Sequence, residues 1–131
     1  MSRVEISSEQ DIVLARQVAR QAAIGLGFSL VDQTRIITAV SELARNVYTY
    51  AARGWMTVQE LKKNTGAVGL EFVFEDQGPG IDDLQLALTA GYSSGNGLGL
   101  GLSGAKRLMN EFELHSILGQ GTVVRVVKWT K

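Results

Sequence analysis

A run of glycines that leads into a helix-forming segment is the feature that most constrains how this chain folds. Residues 94–104 read SGNGLGLGLSG and contain five of the fifteen glycines. Glycine loses more backbone freedom on folding than any other residue, so this density needs a compensating role. Backbone N–H groups at a helix N-terminus bind anions, and glycine lets the backbone approach them closely. The stretch therefore predicts a phosphate-binding loop before a helix.

Two familiar phosphate-binding motifs do not fit this stretch. Residues 99–104 match G-x-G-x-x-G, but the dinucleotide fingerprint needs a preceding strand and an acidic residue about 20 positions later, and both are missing. The Walker pattern also fails, because Ala105 separates Gly104 from Lys106, and Arg107 stands where Ser or Thr is required. The phosphate interpretation therefore needs support from elsewhere in the chain.

Composition narrows the class of protein. The length of 131 residues suits one domain over 1–131, and the 45% hydrophobic content is ordinary for a globular protein. Thirteen basic and thirteen acidic residues cancel, which argues against nucleic-acid and membrane partners. The sequence has no membrane-length apolar run, no apolar core of a signal peptide and no cysteine. We therefore expect a cytoplasmic protein.

Hydrophobic periodicity predicts helices in the first half and strands mostly in the second. A short edge strand is expected at residues 4–6, and the spacing of Ser7 and Gln10 predicts a capping box that starts the first helix. Further expected elements are a helix at 31–52, strands at 55–63, 66–75 and 122–127, a short helix at 82–88, and a helix with its apolar stripe from Leu102. This order favours a sheet with helices on one face.

Glu42 and Asn46 are the first candidates for chemistry. They stand four residues apart on the second predicted helix, so they share a face beside the stripe of Leu43 and Val47. A carboxylate can accept a proton, and an amide oxygen can ligate a hard cation such as Mg²⁺. Taken alone, such a pair is more often a solvated helix flank.

Two further polar sites stand at predicted turns. Asp76 ends an apolar strand before a Gly-Pro-Gly sequence, and its carboxylate could hold an exocyclic amine such as that of adenine. Residues 119–122 read GQGT and could place the Thr122 hydroxyl against a base. Taken alone, Asp76 is more often a turn aspartate that caps its own loop, and the second site is an acceptable hairpin turn.

The order of these motifs carries a resemblance. Glu-x-x-x-Asn on a helix, Asp-x-Gly-x-Gly after a strand, Gly-x-Gly-x-Gly before a helix and Gly-Thr before a terminal strand follow one another along the chain. From the second helix onward the sequence resembles the GHKL ATP-binding family, which includes gyrase, MutL, the ninety-kilodalton heat-shock chaperone and histidine kinases. The four motifs correspond to its N box, G1 box, G2 box and closing Gly-Thr.

The resemblance implies a fold, two cofactors and a role for each motif residue. The fold would be the Bergerat ATP-binding fold, an α+β two-layer sandwich with a mixed, mostly antiparallel sheet and helices on one face. ATP and Mg²⁺ would be bound, with Glu42 as general base, Asn46 as the Mg²⁺ ligand and Asp76 as acceptor of the adenine amine. The other nucleotide-binding residues would be Gly78, Gly80, Gly95, Gly97, Leu98, Gly99, Leu100, Gly101 and Thr122.

Within this family, the chain resembles the small kinases that regulate sigma factors by partner switching. The segments EDQGPGI, GLGLSGAKRLMNEF and VKW are similar to RsbT-type switch kinases of the stressosome. This implies a serine/threonine kinase that phosphorylates STAS-domain proteins (RsbS-like and RsbR-like) and, once released, activates an RsbU-like serine phosphatase. Two alternatives stay open: an anti-sigma factor that sequesters a sigma subunit of RNA polymerase, and a nucleotide-gated adaptor.

Some residues depart from the family pattern. No Lys or His closely follows Asn46, so a cation at the phosphates would come from Arg53, Lys106 or Arg107. The segment between residues 81 and 95 is short, which argues against a large closing lid. Four aromatic residues fit either the core or a partner surface: Tyr48, Tyr50, Trp55 and Trp129.

Overall fold

Eight helices and strands make up the part of the chain that the structure describes. A computed structural model describes residues 2–79 and 98–130, and in the last helix it describes side chains from Leu102 onward. The elements are β1 (Ser2–Ile6), α1 (Glu9–Gly25), α2 (Leu30–Ala51), β2 (Gly54–Lys62), β3 (Val68–Asp76), α3 (Leu98–Leu108), β4 (Glu111–Ile117) and β5 (Gly121–Trp129). The expected short helix at 82–88 and the candidates Gly80, Gly95 and Gly97 lie outside the described residues.

Helix α1 begins one residue later than the capping box predicts. The N-cap is Ser8, whose hydroxyl accepts the backbone N–H of Asp11 at 3.3 Å. The Asp11 carboxylate, and not Gln10, reaches back to accept the backbone N–H of Ser7 at 2.9 Å. That bond lowers the pKa of Asp11. The predicted pair is therefore wrong by one residue, because a charged acceptor in the first turn also gains from the helix dipole.

The five described strands form one sheet in the order β1-β2-β3-β5-β4. Every pairing among them is antiparallel, which confirms the prediction of a mostly antiparallel sheet. Strand β1 lies at one edge, as expected. The central strands β3 and β5 are aligned so that Asp76 lies opposite Thr122. Asp76 of the G1 box and Thr122 of the closing Gly-Thr therefore meet at the same end of the sheet.

The core lies between one face of the sheet and the three helices. Alternate residues of β3, namely Leu70, Phe72 and Phe74, are almost fully buried, as the period-two pattern predicts. The helices add small and branched apolar side chains, and all of these residues belong to one buried cluster. The helices thus cover one face of the sheet, and the predicted α+β architecture is confirmed.

Charged and aromatic side chains occupy the face of the sheet that is turned away from the helices. Trp129 donates its indole N–H to Glu111 at 2.6 Å, and Trp55 lies under the Arg3 guanidinium at 4.6 Å. The indole bond, assisted by Arg125, holds the pKa of Glu111 below its ordinary value. Both tryptophans are half-buried, so they belong to this outer face and not to the core.

Candidate functional site

A cavity lies between α2, α3 and the end of the sheet where β3 stops and β5 starts. Helix α2 contributes four residues to its wall, and the strands and loops contribute most of the rest. Apolar groups with a few convergent polar groups are typical of ligand-binding pockets. The lining residues are Leu43, Asn46, Val47, Tyr50, Phe74, Asp76, Pro79, Leu102, Thr122 and Val124.

Asp76 stands at the sheet end of this cavity and is half-buried. Desolvation raises the pKa of its carboxyl group, and hydrogen bonds from the backbones of Gly78 and Thr122 oppose that rise. Its Oδ1 accepts the Gly78 N–H at 2.9 Å, so the carboxylate does cap its own loop. The bonds from Gly78 and Thr122 use only part of the carboxylate, which offers about four acceptor sites. Capping the loop and accepting a ligand amine are therefore compatible.

Asn46 brings a polar group to the opposite wall. Its Nδ2 atom is fully buried and has no hydrogen-bond partner among the residues that the structure describes. A buried amide without a partner costs about 1–3 kcal/mol, so such an atom needs an explanation. Since the side chain lines the cavity, a polar ligand there would supply the partner. A rotation of the amide would present its oxygen at the same place.

Two glycines allow the backbone segments around Asp76 to approach closely. A Cβ atom at Gly78 would lie 2.6 Å from the Cβ of Ala51 on α2. A Cβ at Gly121 would overlap the backbone oxygen of Asp76, and Gly121 has a φ of +133°. The loop after β3 is thus pressed against both α2 and the start of β5, which fixes the position of the Asp76 carboxylate.

Thr122 lines the cavity directly opposite Asp76, and its hydroxyl lies 2.9 Å from that of Ser116. The Ser116 hydroxyl also donates to the Gly121 carbonyl at 3.2 Å. Sequence reasoning did not single out Ser116, although its cross-strand pairing with Thr122 in the β4–β5 hairpin was a usable signal. Tyr50, which the sequence analysis assigned to either the core or a partner surface, also lines the cavity.

Helix α3 begins inside the glycine-rich stretch that the sequence predicted as a loop. Its first turn holds Leu98, Gly99, Leu100 and Gly101, and Leu102 in the next turn lines the cavity. Packing of Leu102 and Ala105 in the core outweighs the low helix propensity of glycine. The first four N–H groups of a helix have no intrahelical partner. These N–H groups belong to the turn that directly precedes the cavity-lining Leu102.

Glu42 lies one turn before Asn46 on α2 and is half-buried. The described residues that form the cavity wall include its neighbour Leu43 but not Glu42 itself. The structure thus brings together Asn46, Asp76, Thr122 and the start of α3. The catalytic role of Glu42 stays a prediction.

The three side chains considered as cations for the phosphates are not among the described residues that line the cavity. Arg53 is exposed and lines a separate cleft with Arg3 and Trp55. Lys106 and Arg107 are exposed in the last turn of α3, about 12 Å along the axis from Leu98 at 1.5 Å per residue. At that end they complement the helix dipole.

The comparison with known families agrees with this arrangement. Residues 31–130 match the family of histidine kinase-, DNA gyrase B- and HSP90-like ATPases. This match covers most of the chain, from α2 to β5, and includes the whole cavity wall. The chain belongs to this family, and the predicted GHKL fold is confirmed.

Two individual relatives are similar to nearly the whole chain. The chain is 49% identical over 130 residues to the serine/threonine-protein kinase RsbT of Bacillus subtilis (strain 168), covering 99% of this chain and 97% of the relative. It is 26% identical over 127 residues to the anti-sigma F factor of Thermoanaerobacter sp. (strain X514), covering 95% of this chain and 89% of the relative.

A solved structure of the RsbU and RsbW domains of a Mycobacterium tuberculosis protein superposes with a TM-score of 0.61 at 15% identity. The match covers 98% of this chain and 32% of that one, and it shows a shared fold. In the regions described here, the helices are all too short or too polar to span a membrane.

Proposed function

We propose that this chain is an ATP-dependent serine/threonine protein kinase of a partner-switching module. Identity of 49% across nearly the full length of both chains supports the same activity as in the Bacillus subtilis kinase. The observation that carries the proposal is the buried Asn46 Nδ2 atom, which has no hydrogen-bond partner within residues 2–79 and 98–130 and belongs to a cavity that also holds Asp76. Asn46 and Asp76 can both bind one ligand that has polar atoms at its two ends, as ATP has.

In this proposal the adenine lies at the sheet end of the cavity. The half-buried Asp76 carboxylate accepts a hydrogen bond from the exocyclic amine, and Thr122 contacts the base edge. The apolar walls, which include Val47, Phe74 and Val124, enclose the faces of the ring. Adenine suits such a site because it is flat and apolar on its faces and polar at its edge.

The triphosphate then extends past Asn46 toward the first turn of α3. The N–H groups of Leu98, Gly99, Leu100 and Gly101, which have no partner within the helix, and the positive end of the helix dipole favour its negative charge. The expected Gly95 and Gly97 contacts precede this turn in sequence. Gly78 follows Asp76 in the loop after β3 and would lie below the base, and Gly80 stays a prediction because it lies outside the described residues.

The residues present fit a magnesium ion that arrives with the nucleotide. Within residues 2–79 and 98–130, no three His, Cys, Asp or Glu side chains form a metal-binding group. Mg²⁺ is commonly held by one or two protein oxygens together with substrate phosphates and water. The Asn46 amide oxygen would supply the protein ligand, and the ion would neutralise charge on the phosphates.

The proposed transfer needs a base near the γ-phosphate. The partner's serine or threonine hydroxyl attacks the γ-phosphorus, the bond to the β–γ bridging oxygen breaks, and ADP leaves. Glu42, one turn before Asn46 on α2, accepts the hydroxyl proton. The rest of the catalysis is positioning and electrostatic stabilisation by backbone N–H groups, as phosphoryl transfer generally requires.

The proposed acceptors are STAS-domain proteins of the RsbS-like and RsbR-like kinds, and the proposed output partner is an RsbU-like serine phosphatase. The mycobacterial neighbour joins an RsbU domain and an RsbW domain in one protein, which supports a functional link between this fold and such a phosphatase. That this protein acts in the cytoplasm remains a prediction.

A second candidate function is sequestration of a sigma subunit. It is favoured by the 26% identity to an anti-sigma F factor over 95% of this chain. Size-exclusion chromatography with a sigma subunit and with a STAS protein tests it. A stable complex with the sigma subunit supports this second function, and co-elution with the STAS protein alone supports the switch kinase.

The direct experiment is incubation with γ-labelled ATP, Mg²⁺ and a STAS-domain protein encoded in the same operon. We expect label on a serine or threonine of the acceptor with the wild-type chain and with the control Glu60→Gln, whose side chain is exposed on β2. We expect no label with Glu42→Gln. Transfer by Glu42→Gln at the wild-type rate would remove Glu42 from the mechanism.

A further inference from the structure

Lys128 is a buried charge that the proposed chemistry does not use. It follows Val124 and Val126 as the next inward-facing residue of β5, and it is 7% exposed. A lysine at such a position loses most of its hydration, and an apolar side chain there often gives equal or greater stability. Its contacts therefore indicate that Lys128 positions the elements around it.

The Lys128 ammonium group joins the ends of two helices. Its Nζ donates to the backbone carbonyl of Leu108, the last residue of α3, at 2.9 Å. It also lies 3.8 Å from the Asp32 carboxylate in the first turn of α2. Asp32 has a second ion pair with Arg35 at 3.1 Å. The contact with Leu108 satisfies one of the carbonyl groups that the end of a helix leaves without a partner.

Two more bonds hold the end of α3 against β5. The backbone N–H of Asn110 donates to the Val127 carbonyl at 2.9 Å. The Asn110 Oδ1 accepts the backbone N–H of Trp129 at 2.7 Å. Together with Lys128, these bonds fix the C-terminal end of α3 along its axis relative to the sheet.

The two helices joined at Lys128 carry the groups on either side of the proposed phosphate site. Helix α2 places Asn46 in the cavity wall, and α3 presents its first turn about 15 Å from Leu108. A shift of α3 along its axis would move its first turn relative to Asn46. It would leave Asp76 and Thr122 unmoved, because both are held in the sheet.

We propose that Lys128 is a positioning residue for the triphosphate: it sets the axial position of α3 relative to α2. This inference rests on the proposed function, in which the start of α3 binds phosphate. It predicts that loss of the Lys128 contacts weakens ATP binding without weakening the binding of adenosine.

The test compares the affinities for Mg²⁺-ATP and for adenosine by isothermal titration calorimetry, with melting temperatures measured in parallel. The variant is Lys128→Met, which keeps the aliphatic stem and removes the donor. The control is Lys62→Met, an exposed lysine at the end of β2. We expect Lys128→Met to weaken ATP binding about tenfold, within the range for residues that act on a site without touching it, and to change adenosine binding less than twofold.

The outcomes separate this inference from the proposal on which it rests. Equal weakening for ATP and adenosine, or no weakening for either, would contradict a positioning role. If the wild-type chain binds ATP no more tightly than adenosine, the phosphate site itself is wrong. If Lys128→Met does not fold, Asn110→Ala replaces it, because Asn110 is exposed and loses only the bond to Trp129. It should lower ATP affinity two- to threefold and spare adenosine; unchanged affinity for both would refute the inference.

Discussion

Replacement of Asp76 by Asn separates the function of this carboxylate from its cost to stability. The Asp76 Oδ1 accepts the Gly78 N–H at 2.9 Å, and an asparagine keeps that bond by placing its oxygen there. The amide NH₂ group then faces the adenine amine, so two donors oppose each other and the ligand bond is lost. A hydrogen bond to a charged group contributes about 1.5–3 kcal/mol. The dissociation constant for ATP should therefore rise roughly 10- to 150-fold.

The same variant should be more stable without ligand at neutral pH. Burial raises the pKa of Asp76 above the ordinary 3.8, so the folded state binds a proton more readily than the unfolded state. The free energy of unfolding consequently falls as the pH rises from below 3.8 through the raised pKa. Asp76→Asn removes this loss, and its advantage over the wild-type chain should shrink below pH 3.8, where both forms are neutral.

Calorimetric titration with ATP and thermal denaturation at two pH values measure both effects. The matched control is Glu75→Gln, because Glu75 is the preceding residue of β3 and alternation turns it to the outer face of the sheet. The control should bind ATP as the wild type does. Unchanged ATP affinity in Asp76→Asn, or equal losses in both variants, would refute the assignment of Asp76 to adenine.

Three further predictions concern α2, the loop after β3 and α3. Glu42→Gln should retain ATP affinity within about twofold while phosphoryl transfer falls at least 100-fold, in line with the usual contribution of a general base. Calorimetry measures the affinity, and transfer of label from ATP measures the rate. Equal losses of affinity and transfer would contradict this role. Gly78→Ala should destabilise the fold by about 1–3 kcal/mol, since its Cβ would lie 2.6 Å from that of Ala51. Gly104→Ala should instead stabilise the fold by about 0.5–1 kcal/mol, because a Cβ there has no neighbour within 4 Å among the described residues. Urea denaturation of both glycine variants measures the two changes in the free energy of unfolding. Changes of the same sign would refute the packing argument.

Periodic burial explains why most elements could be predicted. The observed bounds of α2, β2 and β3 lie within one or two residues of the expectations, since apolar spacing follows the face that each element buries. The start of α3 was predicted less well. Glycine's low propensity favours a loop before Leu102, whereas tertiary packing extends the helix back to Leu98.

The candidate site could be predicted as a set of residues but not as a geometry. The order of the motifs, and the family resemblance that it carries, pointed to Asn46, Asp76 and Thr122, and the structure brings these three to one cavity. The partner of Thr122, Ser116, depends on the register of the β4–β5 hairpin. The role inferred for Lys128 depends on where α3 ends relative to β5, which local sequence does not encode.

Diffraction from crystals of this protein grown with Mg²⁺ and a non-hydrolysable ATP analogue would test the central claim most directly. We predict the adenine amine within hydrogen-bond distance of the Asp76 carboxylate, Asn46 facing the ion, and phosphate oxygens on the N–H groups at the start of α3. An analogue bound outside this cavity, or a cavity still closed by its own side chains at saturating ligand, would contradict the ATP site and the kinase mechanism built on it.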